Sequence, residues 1–444
     1  MSRQPLLIAF YGDDLTGSTD VMEALALRGV ETVLFLDRPT PAQRARFPGL
    51  QALGIAGTSR SETPDWMDRN LAPAFAWLAA QGAEHCHYKV CSTFDSAPGL
   101  GSIGRAIELG RAAFGGNPVP VVVGAPQLKR YTVFGELFAA FRGEVFRIDR
   151  HPVMSRHPVT PMHEADLRRH LAAQTDLPIA LVDHLALGSG DGDAAVDAAR
   201  EAGAAAILID VLNEPTQRSA GRQLRRLAQA GCRFVVGSSG VEYALAEAWR
   251  AEGRTGPPAR FEALAPVERL AVVSGSCSPT TERQIRHAEA CGFEAIAFDP
   301  RAFVHGDAAP IAAVTREALS RLAAGRSVIV HTALGPQSDL GDEIAGQEGA
   351  RHAIGRGLGA LQAALVRESG LTRAVIAGGD TSSHALRQLR VFALTPRFPL
   401  AETPGSPVSL SHSDDPAFDG LEIALKGGQV GNDDYFVRLR DGIA

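Results

Sequence analysis

At 444 residues the chain is too long for one ordinary domain and reads as two. Its 45% hydrophobic and 21% charged residues exclude a disordered or bilayer-embedded chain. A net charge of −6 excludes nucleic acid as the expected partner, because a phosphate backbone demands a basic face.

The first element, in "LLIAFYGDDLTGSTDVMEALALRGV", is an apolar strand that breaks at a glycine and presents Asp13 and Asp14 just before a helix. In a parallel α/β sheet the loops at the carboxyl ends of strands form the ligand crevice, so both acids are expected to face a small molecule. Adjacent carboxylates with no base beside them repel one another unless something binds there. The plainer alternative is that one Asp only caps the helix, although Thr16 and Ser18 already supply hydroxyls for that task. The start "MSRQPLLIAFYG" runs straight into this strand, and no apolar run in the chain is long enough to span a bilayer. No membrane partner and a cytoplasmic location are therefore expected. The five cysteines are odd in number and contain no C-x-x-C pair, which fits reduced thiols.

Short apolar runs follow at "TVLFL", "LGIAG", "HCHYKV", "VPVVVGAP", "IALVD" and "AAILIDV", separated by Ala- and Arg-rich stretches of helical spacing. That alternation predicts a mainly parallel sheet covered on both faces. After "HCHYKV", the stretch "HYKVCSTFDSAPGLGSIGRA" gathers Lys89, Ser92, Thr93, Asp95 and Ser96. An ammonium and several hydroxyls suit a carboxylated polyol, and a polar surface loop is the equal alternative. Cys91 reads as a packing thiol, since the sequence places no His beside it. "RHPVMSRHPVTPMHEADLRRH" lacks the H-E-x-x-H spacing of a metal site; Arg150, Arg156, His157 and Thr160 are candidates to line an anionic site, with His163 at a helix start.

From about Arg250 the chain becomes rich in Gly, Pro and Arg, which predicts a linker over 251–268 between domains 1–250 and 269–444. Beyond it a second alternating series begins, interrupted by "LTPRFPLAETPGSPVSLSHSDDPAFDG", which reads as a long loop. Three small-residue loops each follow a strand-like run. They carry Ser274, Gly275, Ser276 and Ser278; then Gly378, Gly379, Asp380, Thr381 and Ser382; then Lys426, Gly427, Gly428 and Gly431. Glycine admits close backbone approach, and helix amino termini attract anions, so together these loops suit phosphates. Neither the P-loop nor the dinucleotide fingerprint is present.

With "GDDLTGSTD", "YKVCSTFDS", "HPVTPM", "VVSGSCS", "AGGDTS" and "LKGGQVGNDDYF" in this order, the chain resembles the four-carbon acid sugar kinase family nearly end to end. The resemblance implies two α/β domains with mainly parallel sheets and an interdomain cleft. The amino-terminal domain would bind a small sugar acid and the carboxyl-terminal domain ATP, with phosphoryl transfer across the cleft. Carried over by motif, the substrate side is Asp13, Asp14, Thr16, Lys89, Ser92, Thr93 and Asp95, to which Arg156 is added from the anionic-site reading above. The nucleotide side is Ser274, Ser276, Ser278, Gly378, Gly379, Asp380, Thr381, Gly427, Gly428 and Gly431. Asp14, or failing that Asp13, would orient and deprotonate the terminal hydroxyl, and Lys89 would hold the substrate carboxylate. Mg²⁺ would bridge the phosphates, with Asp380 as its candidate ligand or else a helix cap. "CSTFDS" is similar to the 3-oxo-tetronate branch, whereas "GAPQLKRYTVFGELF" departs from the usual segment and keeps a branched acid such as 3-oxo-isoapionate in view. Two rivals stay open: a Mg-dependent lyase or aldolase acting on a phosphorylated sugar acid, and a non-catalytic two-domain sugar-acid sensor. Homo-oligomerisation is left open as well.

Overall fold

The structure, a computed structural model, describes residues 6–157, 159–338, 340 and 349–443. It divides into two compact units, one of Met1–Val33 with Arg44–Ala259 and one of Leu34–Gln43 with Arg260–Ala444.

The strands up to the linker are β1 (Ile8–Gly12), β2 (Thr32–Phe35), β3 (Ala52–Ala56), β4 (His85–Lys89), β5 (Val119–Val122), β6 (Arg130–Val133), β7 (Glu136–Phe141), β8 (Glu144–Arg147), β9 (Ile179–Val182), β10 (Ala206–Ile209) and β11 (Phe234–Gly237). The main sheet of the first unit runs β3-β1-β4-β11-β5-β10-β9, and all of these pairs are parallel. β1, β3, β4 and β11 are buried along their whole length, as expected of strands covered by helices on both faces. β4 tolerates this although it reads His-Cys-His-Tyr-Lys. His87 Nδ1 meets Glu242 at 2.6 Å and its Nε2 meets the Gly237 carbonyl at 3.1 Å, so the imidazole is satisfied inside the core. In register, Gly12 lies between Ala56 and Lys89, so the loops that leave β3, β1 and β4 emerge side by side.

β6, β7 and β8 form a separate antiparallel sheet, built from the "RYTVFGELFAAFRGEVFR" stretch to which the sequence reading assigned no strands. His163 does not start a helix. The nearest one, Leu167–Ala172, is capped by Asp166, whose carboxylate accepts from the Arg168 amide at 2.9 Å.

In the second unit, β12 (Ala271–Ser274), β13 (Phe293–Ala297), β14 (Ser327–His331), β15 (Arg373–Ala377), β16 (Val391–Phe398), β17 (Val408–Ser413) and β18 (Glu422–Lys426) order as β13-β14-β12-β15-β18-β17-β16. The first five in that order are parallel to one another, and β17 runs antiparallel to both β18 and β16. Leu270, Val272, Ile285, Phe293, Ile329, Val375, Ala424 and Phe436 share one core. The stretch read as a long Pro-rich loop is thus largely a hairpin: β16 carries Pro396 inside a strand, next to a register shift between Pro396 and Phe398. Proline removes a ladder donor, and an irregularity of this kind is where a sheet accepts one. Among the described residues no helix is long and apolar enough to cross a membrane, and no disulfide joins any of the five cysteines.

Candidate active site

In the first unit the ends of β1, β3 and β4, with the loops and helix that follow them, bring six charged side chains together: Asp13, Asp14, Asp20, Arg60, Lys89 and Asp95. Asp13 is 4% exposed; its amide donates to the Lys89 carbonyl, and its own carbonyl accepts from the Arg60 amide. Its Oδ1 is buried and has no hydrogen-bond partner. Burial, reinforced by the Asp14 charge, pushes the Asp13 carboxyl up to about 7, against the pull of Arg60 and Lys89. Such a group holds or releases a proton near neutrality.

Asp14 is differently placed. It caps helix Leu15–Ala26, where Oδ1 accepts from the Gly17 amide at 2.6 Å, while Oδ2 takes an Arg60 Nη1 donor at 3.2 Å. The cap is therefore Asp14 itself, and Thr16 and Ser18 lie within the helix. Space at position 17 suits glycine, since a Cβ there would stand 2.6 Å from Asp14 Oδ1 and 3.1 Å from Lys89 Nζ and would push on the cap.

Lys89 is buried and lies 3.5 Å from Asp20. Burial works against its charge, but Asp20 and Asp13 outweigh it and hold the ammonium above its ordinary value. Arg60, from the short turn Ser59–Ser61 after β3, donates to both Asp95 oxygens at 2.9 and 2.8 Å. Asp95 also accepts from Thr93 Oγ1 at 2.5 Å and Thr160 Oγ1 at 3.1 Å. Burial opposes its charge, yet Arg60 and Thr93 keep the carboxyl below the usual range. Ser92 and Thr16 are half-buried beside this network, whereas Arg150 and Arg156 are exposed; of that histidine-rich segment it is His157 and Thr160 that join, with His157 Nδ1 accepting from the Thr160 amide at 3.1 Å. Arg60 and Asp20 were not singled out from the sequence. Each is one charged residue in a segment whose partner is dozens of positions away.

In the second unit the three small-residue loops leave neighbouring strands, because Ser274, Ala377 and Lys426 stand opposite one another at the ends of β12, β15 and β18. Gly378 has φ +120° at the entry to helix Gly379–Gln388, a conformation that favours glycine. A Cβ on Gly275 would reach Thr381 Oγ1 at 2.3 Å, and one on Gly428 would meet Ser276 Oγ at 3.1 Å. Ser278 caps helix Pro279–Ala290 by accepting from the Thr280 amide at 3.1 Å, and the Ser276 amide donates to Ser274 Oγ at 3.4 Å. Gly379 borders open space. Gly431 instead packs on Gln284, whose amide nitrogen donates to the carbonyls of Val430 and Asn432. The Asp380 side chain lies outside the described residues.

Lys426 ties these loops together. It is fully buried; its Nζ donates to Thr281 Oγ1 at 3.0 Å and to the carbonyls of Gly427 and Gly428 at 2.9 and 3.5 Å. Thr281 in turn meets Ser276 Oγ at 3.0 Å. Burial pushes the Lys426 ammonium down to about 7. Since each peptide unit points its C=O and N–H in opposite directions, carbonyls drawn to Lys426 turn the amides of Gly428 and Gln429 away from it. A backbone bare of side chains with amides turned outward suits an anion.

The two units match separate family models, a sugar-binding N-terminal domain over residues 8–245 and a nucleotide-binding C-terminal domain over residues 271–436. A 3-oxo-isoapionate kinase from Paraburkholderia graminis is 48% identical over 447 residues, covering 98% of this chain and 94% of that protein. The chain belongs to the four-carbon acid sugar kinase family. A second relative in this family, a 3-oxo-tetronate kinase from Methylobacterium radiotolerans, is 32% identical over 99% of this chain and all of its own length. A solved Salmonella typhimurium structure shares the fold with a TM-score of 0.78, at 25% identity and 98% coverage of each chain. The protein is accordingly a sugar-acid kinase, with one domain of the sugar-binding type and one of the nucleotide-binding type.

Proposed function

We propose that this kinase transfers the γ-phosphoryl group of ATP to the terminal hydroxyl of a short 3-oxo sugar acid, with 3-oxo-isoapionate as first candidate and 3-oxo-tetronate as second. The substrate choice leans on the 48% identity to the Paraburkholderia graminis enzyme across nearly the whole chain. The observation that carries the chemistry is Asp13, a buried carboxyl with an unpartnered oxygen and a pKa of about 7, inside a domain of the sugar-binding type.

Phosphoryl transfer asks little covalent chemistry of a protein and much positioning. In this reading Asp13 Oδ1 accepts the hydroxyl proton as the oxygen attacks the γ-phosphorus, because both oxygens of Asp14 are engaged by Gly17 and Arg60 and Asp95 is held as a carboxylate by three donors. Lys89, closed in by Asp20 and Asp13, sets the charge balance at the base. Thr16 and Ser92 offer hydroxyls to the substrate. On the nucleotide side, the Ser274–Ser278 loop, Gly378–Thr381 and the Gly427–Gly428 turn cradle the phosphates. Mg²⁺ bound with the ATP phosphates would supply charge neutralisation, with Asp380 as the candidate protein ligand carried from the sequence motif. A need for ATP supports a cytoplasmic location.

A coupled ADP-release assay over 3-oxo-isoapionate, 3-oxo-tetronate, D-threonate and D-erythronate tests the reading. ADP should appear only with Mg²⁺ and acid together, fastest with the 3-oxo acids. Folded protein that binds these acids yet releases no ADP with any of them would return the lyase and sensor readings to the front.

A further inference from the structure

A sugar acid needs a cation for its carboxylate, and the two cations nearest Asp13 are already committed. Arg60 spends its donors on Asp95 and Asp14, and Lys89 is 2% exposed against Asp20. Arg130 is the exception. It opens β6 just after the loop that leaves β5, anchored by backbone bonds in both directions between Ala125 and Arg130. Its Nη1 donates to the carbonyls of Leu128 and Lys129 at 3.0 and 3.2 Å, and its Nε is buried with no partner. Among the described residues no carboxylate acts on it: burial lowers its pKa, opposed only by Cys91 and Tyr131.

The sheet sets Arg130 beside the sugar-acid loops: Lys89, Gly237 and Val122 stand in register at the ends of β4, β11 and β5, so the loop that Arg130 closes leaves the same edge as the Cys91–Asp95 loop. In that loop, Cys91 is within electrostatic range of both Arg130 and Arg60. Thr93 Oγ1 links it to the network, lying 2.9 Å from Cys91 Sγ and 2.5 Å from Asp95 Oδ1. A half-buried guanidinium without a counter-charge is costly to keep, and a bound anion is what relieves that cost. The planar fork of arginine matches a carboxylate with two parallel N–H donors.

We propose that Arg130 is the residue that binds the substrate carboxylate, and so the residue that selects a sugar acid over the neutral sugar. The inference rests on the sugar-acid reading above, and its test is a binding measurement so that the two can fail separately. Freshly prepared 3-oxo-tetronate and erythrulose, the ketose with a hydroxymethyl group in place of the carboxylate, are titrated calorimetrically into the intact protein and into Arg130→Met and Arg130→Lys. The acid should bind Arg130→Met roughly 10- to 100-fold more weakly, the range for a lost hydrogen bond to a charged group. Erythrulose affinity should be unchanged, and Arg130→Lys should recover part of the loss for the acid alone. Unaltered acid affinity in folded Arg130→Met, an equal loss for acid and ketose, or no binding of the acid to the unmodified protein would each overturn the proposal. Acid binding that depends on Arg130 without any ADP release would instead count against the kinase chemistry.

Discussion

Replacing Asp13 by Asn is expected to lower kcat for the sugar acid by about 10²- to 10⁴-fold, the range for lost general-base assistance, while the KM for ATP stays nearly constant. Asn keeps the size of the side chain but cannot take a proton near neutrality. The fold should tolerate the change: the Asp13 carboxyl is buried at an energetic cost that raises its pKa to about 7, and its Oδ1 satisfies no donor that Asn would abandon. Asp14→Asn is the informative control. Asn is also a good helix cap and can still accept from the Gly17 amide, so only the charge contact with Arg60 weakens. Its kcat should fall much less than that of Asp13→Asn. Steady-state kinetics on both variants, with thermal melts to confirm folding, decide which acid acts.

Lys426→Met should raise the KM for ATP roughly 10- to 100-fold, because the Gly427 carbonyl loses its buried donor, the Gly428 carbonyl keeps only the Thr281 hydroxyl at 3.3 Å, and leaving a buried carbonyl unpaired costs about 1–3 kcal/mol. The turn then has no reason to keep its amides toward the phosphates. Stability should not suffer in proportion, since methionine fills similar volume and removes a charge that burial penalises. The sign of that penalty can be read from pH. With its folded pKa near 7, below the lysine value of an unfolded chain, the unfolded state holds the extra proton between about pH 7 and 10, so this residue makes stability rise with pH across that window. Thermal melts of Lys426→Met should lack that component. An unchanged KM for ATP would make the Gly427–Gly428 turn a structural feature alone.

The alternation of apolar runs with helices made the α/β class legible, because strands buried on both faces need continuous hydrophobic stretches. The small antiparallel sheet was hidden for the opposite reason: "RYTVFGELFAAFRGEVFR" is only partly buried, and its charges break the apolar signal. Pro396 disguised β16, since a proline inside a strand argues against one unless an irregularity receives it. At the site, Asp13, Asp14, Lys89, Thr93 and Asp95 could be read because each lies at or just past a strand end within a short motif. Arg60 could not, standing 35 positions from Asp95 in a serine-rich turn with no pattern of its own. Nor does a sequence state strand order, so the meeting of the three glycine and serine loops at β12, β15 and β18 became visible only in the sheet. The choice of cap stayed open between an Asp and the hydroxyls of Thr16 and Ser18 because propensity ranks hydroxyls and carboxylates alike, and only the backbone at Asp14 decides it.

The pH dependence of kcat/KM for the sugar acid, taken at saturating Mg-ATP on the unmodified enzyme and on Asp13→Asn, tests most directly whether Asp13 is the base. Its folded-state carboxyl titrates at about 7, so the unmodified enzyme should lose activity about tenfold per pH unit below that value and level off above it. The residual activity of Asp13→Asn should lack that limb. A rate that is flat from about pH 5 to 8 in the unmodified enzyme, or the same limb surviving in Asp13→Asn, would contradict the assignment.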